Sequence, residues 1–423
     1  MNTKLRVLGV FAGLSIFAAA CGGGATPSPS SGGASASAPA GGSASASAGS
    51  GAVTPLTGTL TLWHSYGSGG GETGALNKAL DAVRAANPGL TVNVVEQPFA
   101  DIFTKWRTDA AAGGTAVDLF IAPNDDLGKD ARAGSIADIS SLLEGNPALA
   151  NVQQVAQDGS KVEGKWYMVP ESLKAVALWY DKTAIATPPT TSQELLDGVK
   201  AGTIKLGINQ GVYHQFGWTG AFGGKLLDDT GKCIADQGGF AEAFAYLKSL
   251  KDAGAKFNTN GGDLDTDFKT AKINAIIDGP WTTADFRTAL GDKLAVTPIP
   301  AGPAGKANPF TGTDGWYINP NLDATQAKLA VDFALQMVAP ASEQIFVDDA
   351  GHVPADSTVT VSNDITKGFA DAAAAGLPRP QGKTFGNWWA PFGDALNKVI
   401  DAGADPTTAV KDACTLMNQT PPS

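Results

Sequence analysis

The chain has 423 residues, with 41 Asp and Glu against 30 Lys and Arg, and a net charge of −11 at pH 7. An acidic surface of this kind argues against nucleic acid and anionic lipid as partners. The folded remainder, about 370 residues, exceeds what one hydrophobic core sustains, so two domains are expected.

Lys4 and Arg6 precede an apolar run over residues 7–20, followed by Cys21. A membrane-spanning helix needs about 20 apolar residues, so residues 1–20 read as a secretory signal peptide. Ala18, Ala19 and Ala20 before Cys21, with Gly22 after it, resemble a bacterial lipoprotein cleavage box, which makes Cys21 the expected lipidation site. The alternative is ordinary cleavage nearby with a free cysteine. Loss of Lys4 and Arg6 takes the net charge from −11 to −13. Residues 21–53 are almost only Gly, Ser, Ala and Pro, with nothing to offset the entropy of ordering, and read as a coil with a reach of about 30 Å. The expected location is the outer face of the cell membrane, with the lipid anchor as the only membrane contact.

Residues 58–63 alternate as a strand, then meet a polar, glycine-rich loop and a helical pattern over 74–86 that stops at Asn87 and Pro88. A β-branched strand over 90–97, a helix through Trp106 to Ala112 and a short buried strand over 117–122 follow. Such alternation builds a mostly parallel sheet with ligand groups at the carboxyl ends of the strands. Residues 166–182 (WYMVPESLKAVALWYDK) bend at Pro170 and run apolar over 175–180, as a chain does when it leaves one α/β unit and enters the next as a buried strand. Glu171, Ser172 and Lys174 would then face a cleft. Beyond it come a helix near 192–201, a strand over 204–209, an aromatic stretch at 213–218, a hairpin near 228–232 and a helix over 239–253. A short helix at 267–272 runs into a strand at 273–277. A proline-rich link at 298–309, a strand over 313–319, a helix over 325–337 and closing helices at 385–402 and 407–418 complete the chain. Cys233 and Cys414 either pair, as exported cysteines often do, or stay as two buried thiols.

His64, His214 and His352 lack metal-helix spacing, and no metal or cofactor is expected. Asp263, Asp265 and Asp267 begin like a calcium loop, but Phe268 replaces its glycine, so helix capping is expected. Glu72, Asp125, Glu171, Asp278 and Asp314 fall near strand ends and leave a surface-tethered glycoside hydrolase as an alternative. More telling is the placement of Trp63, Tyr213, Phe216, Trp281, Trp316, Trp388 and Trp389 at strand ends and turns. Flat rings stack on the C–H face of a sugar while nearby Asp, Asn, Gln and Lys take its hydroxyls.

Five stretches carry a resemblance: LTLWHSY (60–66), VDLFIAPND (117–125), GKWYMVPESLKAVALWYDK (164–182), AIIDGPW (275–281) and FGNWWAPFGDAL (385–396). Over residues 59–419 the chain resembles the solute-binding lipoproteins of ATP-binding-cassette sugar importers, most closely the maltose and maltodextrin binders. The resemblance implies an α/β, two-lobed fold of the periplasmic-binding-protein type II, joined by hinge strands, with lobes at 54–171 plus 312–358 and 172–311 plus 359–423. It implies a monomeric, non-enzymatic receptor that closes on a carbohydrate and docks on membrane permease subunits, or one that senses the sugar. Sugar contacts would fall on Trp63, Glu72, Asn124, Asp125, Lys174, Tyr213, Gln215, Phe216, Trp281, Asp314, Gly315, Trp388 and Trp389, with Trp281 and Trp388 as stacking platforms. Lys174 stands where the family commonly has a glutamate, Ala122 and Asp126 replace a tryptophan and an arginine, and Gly211 replaces an acidic residue. These departures bear on maltose itself more than on a sugar.

Overall fold

Residues 55–67 and 70–422 are described by a computed structural model. The expected signal peptide, Cys21 and the Gly/Ser/Ala segment lie outside the described residues. Two sheets carry the fold. In chain order the strands are β1 (Thr57–His64), β2 (Gly89–Glu96), β3 (Leu119–Pro123), β4 (Lys161–Val162), β5 (Lys165–Trp166), β6 (Val169–Lys174), β7 (Ala177–Asp181), β8 (Leu206–Asn209), β9 (Lys256–Asn258), β10 (Ala275–Asp278), β11 (Leu294–Thr297), β12 (Phe310–Ile318), β13 (Val353–Pro354) and β14 (Leu377–Pro378). The first sheet runs β13-β6-β12-β3-β1-β2, with β14 beside β12; the second runs β11-β7-β10-β8-β9.

Pairing within these sheets is mixed where mostly parallel pairing is expected. β1 runs parallel to β2 and β3, and β8 parallel to β9 and β10, as right-handed βαβ units require. Every antiparallel pair in the two sheets involves β6, β7 or β12. Those strands flank the passages from one sheet to the other, and no crossover helix precedes them to fix a parallel direction. The first passage is only Ala175 and Val176, both buried. The expected cuts at 171/172 and 311/312 fall inside β6 and β12.

The helix Gly71–Ala86 buries Ala75, Leu76, Ala79, Leu80 and Val83, a stripe at spacings of three and four. Pro88 disfavours helical geometry at Asn87 and ends it there. The stretch expected only as aromatic is the helix Val212–Ala221, buried on most sides, so no amphipathic period marks it in the sequence. On one face of the second sheet, Leu178, Ile208 and Ile277 pack with this helix and with the helices Phe240–Asp252, Trp389–Ala402 and Pro406–Gln419. Cys233 and Cys414 form a disulfide with Cα atoms 5.5 Å apart, tying the turn at 228–233 to the last helix.

Candidate functional site

A groove of about 550 Å³ is lined from both sheets. From the first come Tyr66 after β1, Glu72 in the first turn of its helix, Asp125 after β3, Lys174 at the end of β6 and Asp314 in β12. From the second come Asn209 at the end of β8, Tyr213 and His214 at the start of the helix Val212–Ala221, Asp265 in the helix Gly261–Lys269, Asp278 at the end of β10, and Trp281. Strand ends supply these groups because there the ladder stops and side chains project into the crevice.

Lys174 organises the floor. Its Nζ lies 2.6 Å from Asp314 Oδ2 and 3.1 Å from Glu72 Oε1. The register shift in β12 between Asp314 and Gly315 turns Asp314 toward this lysine, and Gly315 is required there because a Cβ would sit 2.4 Å from the Val169 carbonyl oxygen. His352 extends the network, with Nε2 3.0 Å from Glu72 Oε1 and Nδ1 2.9 Å from Glu171 Oε1. Burial alone would push His352 down, yet the Glu171 and Glu72 carboxylates outweigh it and raise its pKa to about 10. Burial alone would push Glu72 up, but Lys174 and His352 override it and bring its pKa down to about 2. Burial opposes the charge on Lys174, and Asp314 and Glu72 reverse that, holding its proton well beyond the ordinary lysine range. Glu72, Lys174 and His352 are therefore charged at neutral pH, while burial pushes the Asp314 carboxyl up against the opposing pull of Lys174.

A second pair lies to the side. Arg379, buried, bonds to Asp125, and its Nη1 is 3.3 Å from Asn124 Oδ1. The guanidinium carbon stands 5.2 Å from the Tyr213 ring centroid. Aromatic rings complete the wall: Tyr213 lies 6.3 Å from Trp281 and 6.5 Å from Trp389, while Phe99, 52% exposed, and Tyr66 line the groove from the other half.

Of the residues expected at the site, Glu72, Asp125, Lys174, Tyr213, Trp281, Asp314 and Trp389 line this groove. The others lie elsewhere. Trp63 leans edge-on against Trp106 at 6.3 Å, on the face of β1 that carries the core under the helix Phe99–Ala111. Trp388 and Trp316 are fully buried, Trp388 among Phe310, Phe385 and Phe392 and Trp316 against Phe333. Trp388 thus belongs to the core, and its neighbour Trp389 takes the place at the groove, because consecutive helical residues point about 100° apart. Phe216 stacks on Phe310 at 3.6 Å in a separate cavity. Gln215 turns inward and donates to the Asn209 carbonyl at 2.7 Å. Asn124 is buried, donates to the Gly159 carbonyl and accepts from Thr313 N–H, so it supports the loop carrying Asp125. Gly315 has only its backbone, packed on β6.

Tyr66, Phe99, Asp265, His214 and Arg379 were not legible as site residues. Arg379 lies in a proline-rich turn more than 250 residues from its partner Asp125, and nothing local marks such a pairing. The capping role expected of Asp263, Asp265 and Asp267 belongs instead to Asn260, which accepts from Gly262 N–H, while Asp267 pairs with Lys256 and Lys272.

Two α/β halves, joined by strands that pass between them and enclosing a groove with a charged floor and aromatic walls, define a ligand-capturing receptor of the two-lobed type. Residues 78–375 match the family described as bacterial extracellular solute-binding protein, and the chain belongs to that family. It is similar to the maltooligosaccharide ABC transporter solute-binding lipoprotein of Streptococcus pneumoniae, 24% identical over 73% of this chain and 77% of the relative. It is also similar to the galactooligosaccharide-binding protein of Bacillus subtilis, 27% identical over 76% of this chain and 81% of the relative. Among solved structures, the Thermus thermophilus maltotriose binding protein bound with maltotriose superposes with a TM-score of 0.74 at 25% identity, covering 85% of this chain and 99% of that one.

Proposed function

We propose that this protein captures an oligosaccharide, with maltose- and maltodextrin-type sugars first in order, and delivers it to the permease of an ATP-binding-cassette importer. The observation that carries the reading is the meeting of Tyr66 and Phe99 from one half with Tyr213, Trp281 and Trp389 from the other, around the hydrogen-bonded Glu72–Lys174–Asp314 floor. Rings cover the C–H faces of pyranoses, and the charged groups accept from and donate to their hydroxyls. Named relatives that handle maltooligosaccharide and galactooligosaccharide support the sugar class. Ligand contacts made by both halves favour the closed form, the state a permease would recognise. In this reading the protein is a monomer without catalytic activity, held at the outer face of the membrane by a lipid on Cys21. Among the described residues no helix is long and apolar enough to cross a membrane.

Calorimetry against maltooligosaccharides, galactooligosaccharides, trehalose, cyclodextrins and monosaccharides tests the reading. Micromolar binding, about −8 kcal/mol, is the expected scale for one class. Silence across the panel removes it. Recovery of the bound sugar intact after incubation separates a receptor from a glycoside hydrolase, which would release shorter products.

A further inference from the structure

We propose that His352, itself sealed from the groove, is a positioning residue for sugar capture: it fixes one oxygen of Glu72 so that the other, Oε2, is held out to a hydroxyl of the bound saccharide. This rests on the sugar-capture reading and deepens it.

Glu72 lines the groove, and its two oxygens are not equivalent. Oε1 takes both donors, Lys174 Nζ at 3.1 Å and His352 Nε2 at 3.0 Å. Oε2 has no donor among the described residues, and it is not sealed, since the side chain keeps 14% of its surface exposed. Lys174 alone would not decide which oxygen faces the ligand. Its ammonium is a point charge on a flexible four-carbon stem, shared with Asp314 at 2.6 Å, and could follow either oxygen. The imidazole N–H points one way only.

Packing fixes that direction. His352 is 1% exposed; its ring stacks on Phe346 with centroids 5.2 Å apart and meets Tyr66 edge-on at 6.1 Å. Gly351 before it has φ +78°, and a Cβ there would sit 2.5 Å from Thr283 Cγ2, so a glycine is needed where the chain turns the ring inward. Val353 and Pro354, directly after, pair with Leu173 and Ser172 of β6. On the far side of the ring, Nδ1 lies 2.9 and 3.1 Å from the two oxygens of Glu171. Where β6 pairs with β12, Asp314 meets Ser172 and Gly315 meets Pro170, which leaves Glu171 as the extra residue of a bulge. Glu171 and Lys174, three residues apart, thereby reach one network, where plain alternation would send them to opposite faces. With a carboxylate before each nitrogen the ring donates to both, anchored by Glu171 and steering Glu72. A carboxylate already held in place loses less freedom when a hydroxyl donates to it.

The test is calorimetry with maltotriose and with derivatives lacking one hydroxyl each, on the unsubstituted protein and on His352→Gln, His352→Asn and His352→Leu. A glutamine amide reaches the position of Nε2 and an asparagine amide that of Nδ1, so only the glutamine can still donate to Glu72. His352→Leu and His352→Asn should bind maltotriose about ten-fold more weakly, and His352→Gln should recover most of that loss. At least one deoxy derivative should bind the unsubstituted protein about ten-fold more weakly than maltotriose, a penalty that should shrink to about two-fold or less in His352→Leu. A residue that served only the core would neither separate Gln from Asn nor act on a single hydroxyl. If maltotriose binds the Gln and Asn variants equally, or the deoxy penalty persists in His352→Leu, the positioning role is overturned while sugar capture stands. If neither maltotriose nor any derivative binds the unsubstituted protein, the sugar reading fails and takes the role with it. Should the variants not fold, nitrogen NMR of the unsubstituted protein decides: the His352 Nε2–H resonance should shift with maltotriose and not with the penalised deoxy derivative, and an equal shift with both overturns the role.

Discussion

Lys174 Nζ lies 2.6 Å from Asp314 Oδ2, across the pairing of β6 with β12, and this bond neutralises a carboxylate that is only 1% exposed. Replacing Lys174 with Met keeps the bulk but leaves Glu72 and Asp314 without their cation. A buried charge that loses its partner costs about 3–5 kcal/mol. Denaturant unfolding of the apo protein should show a loss on that scale, together with loss of ligand binding. Unchanged stability would mean that solvent reaches the floor.

The floor also makes stability depend on pH in a defined window. His352 titrates near 10 in the fold against 6.5 ordinarily, so its contribution is complete below about 6.5 and is lost as pH rises through 10. Glu72 titrates near 2 against 4.5, so its contribution is complete above about 4.5 and is lost as pH falls through 2. Melting temperature should therefore decline from pH 7 to pH 10, and His352→Gln should flatten that decline. A slope unaltered by the substitution would assign the effect to other groups.

Trp281, which lines the groove, and Trp388, which is buried in the core, should respond in opposite ways. Trp281→Ala removes a partly exposed ring from the groove and should weaken sugar affinity by more than about 1 kcal/mol while the apo melting temperature hardly moves. Trp388→Ala empties a fully buried site among phenylalanines and should cost about 3–5 kcal/mol of stability. Paired calorimetry and thermal melts distinguish these outcomes, and a large melting shift for Trp281→Ala would place that ring in the core.

The Cys233–Cys414 disulfide closes a loop with a sequence separation of 181. In the chain-entropy model a bridge this long contributes on the order of 4 kcal/mol. Thermal unfolding with and without reductant should differ accordingly, and non-reducing mass mapping should recover the two peptides linked.

How far the site could be read from sequence depended on where its groups sit along the chain. Strands such as Leu119–Pro123 and Ala275–Asp278 announce themselves as short apolar blocks before turn residues, so Asp125 and Trp281 are legible as groups at strand ends, and both line the groove. Trp388 and Trp389 are adjacent, and no local rule says which one faces inward. The network of His352 with Glu72 and Glu171 joins residues 280 and 181 positions apart, a pairing that only the assembled sheets create. Trp63 sits in an alternating strand whose two faces are both covered, so its alternation does not reveal which layer receives it.

Only Ala175 and Val176 separate Lys174 from the first residue of β7. With two soft torsions per residue, about four angles govern the tilt of one half against the other along this connection. A few degrees there, multiplied by the lever arm of a whole half, displace the outer rim by ångströms. In the sugar-capture reading the residue next to this pivot, Lys174, would meet the cargo, so that loading and tilting would be coupled at one spot.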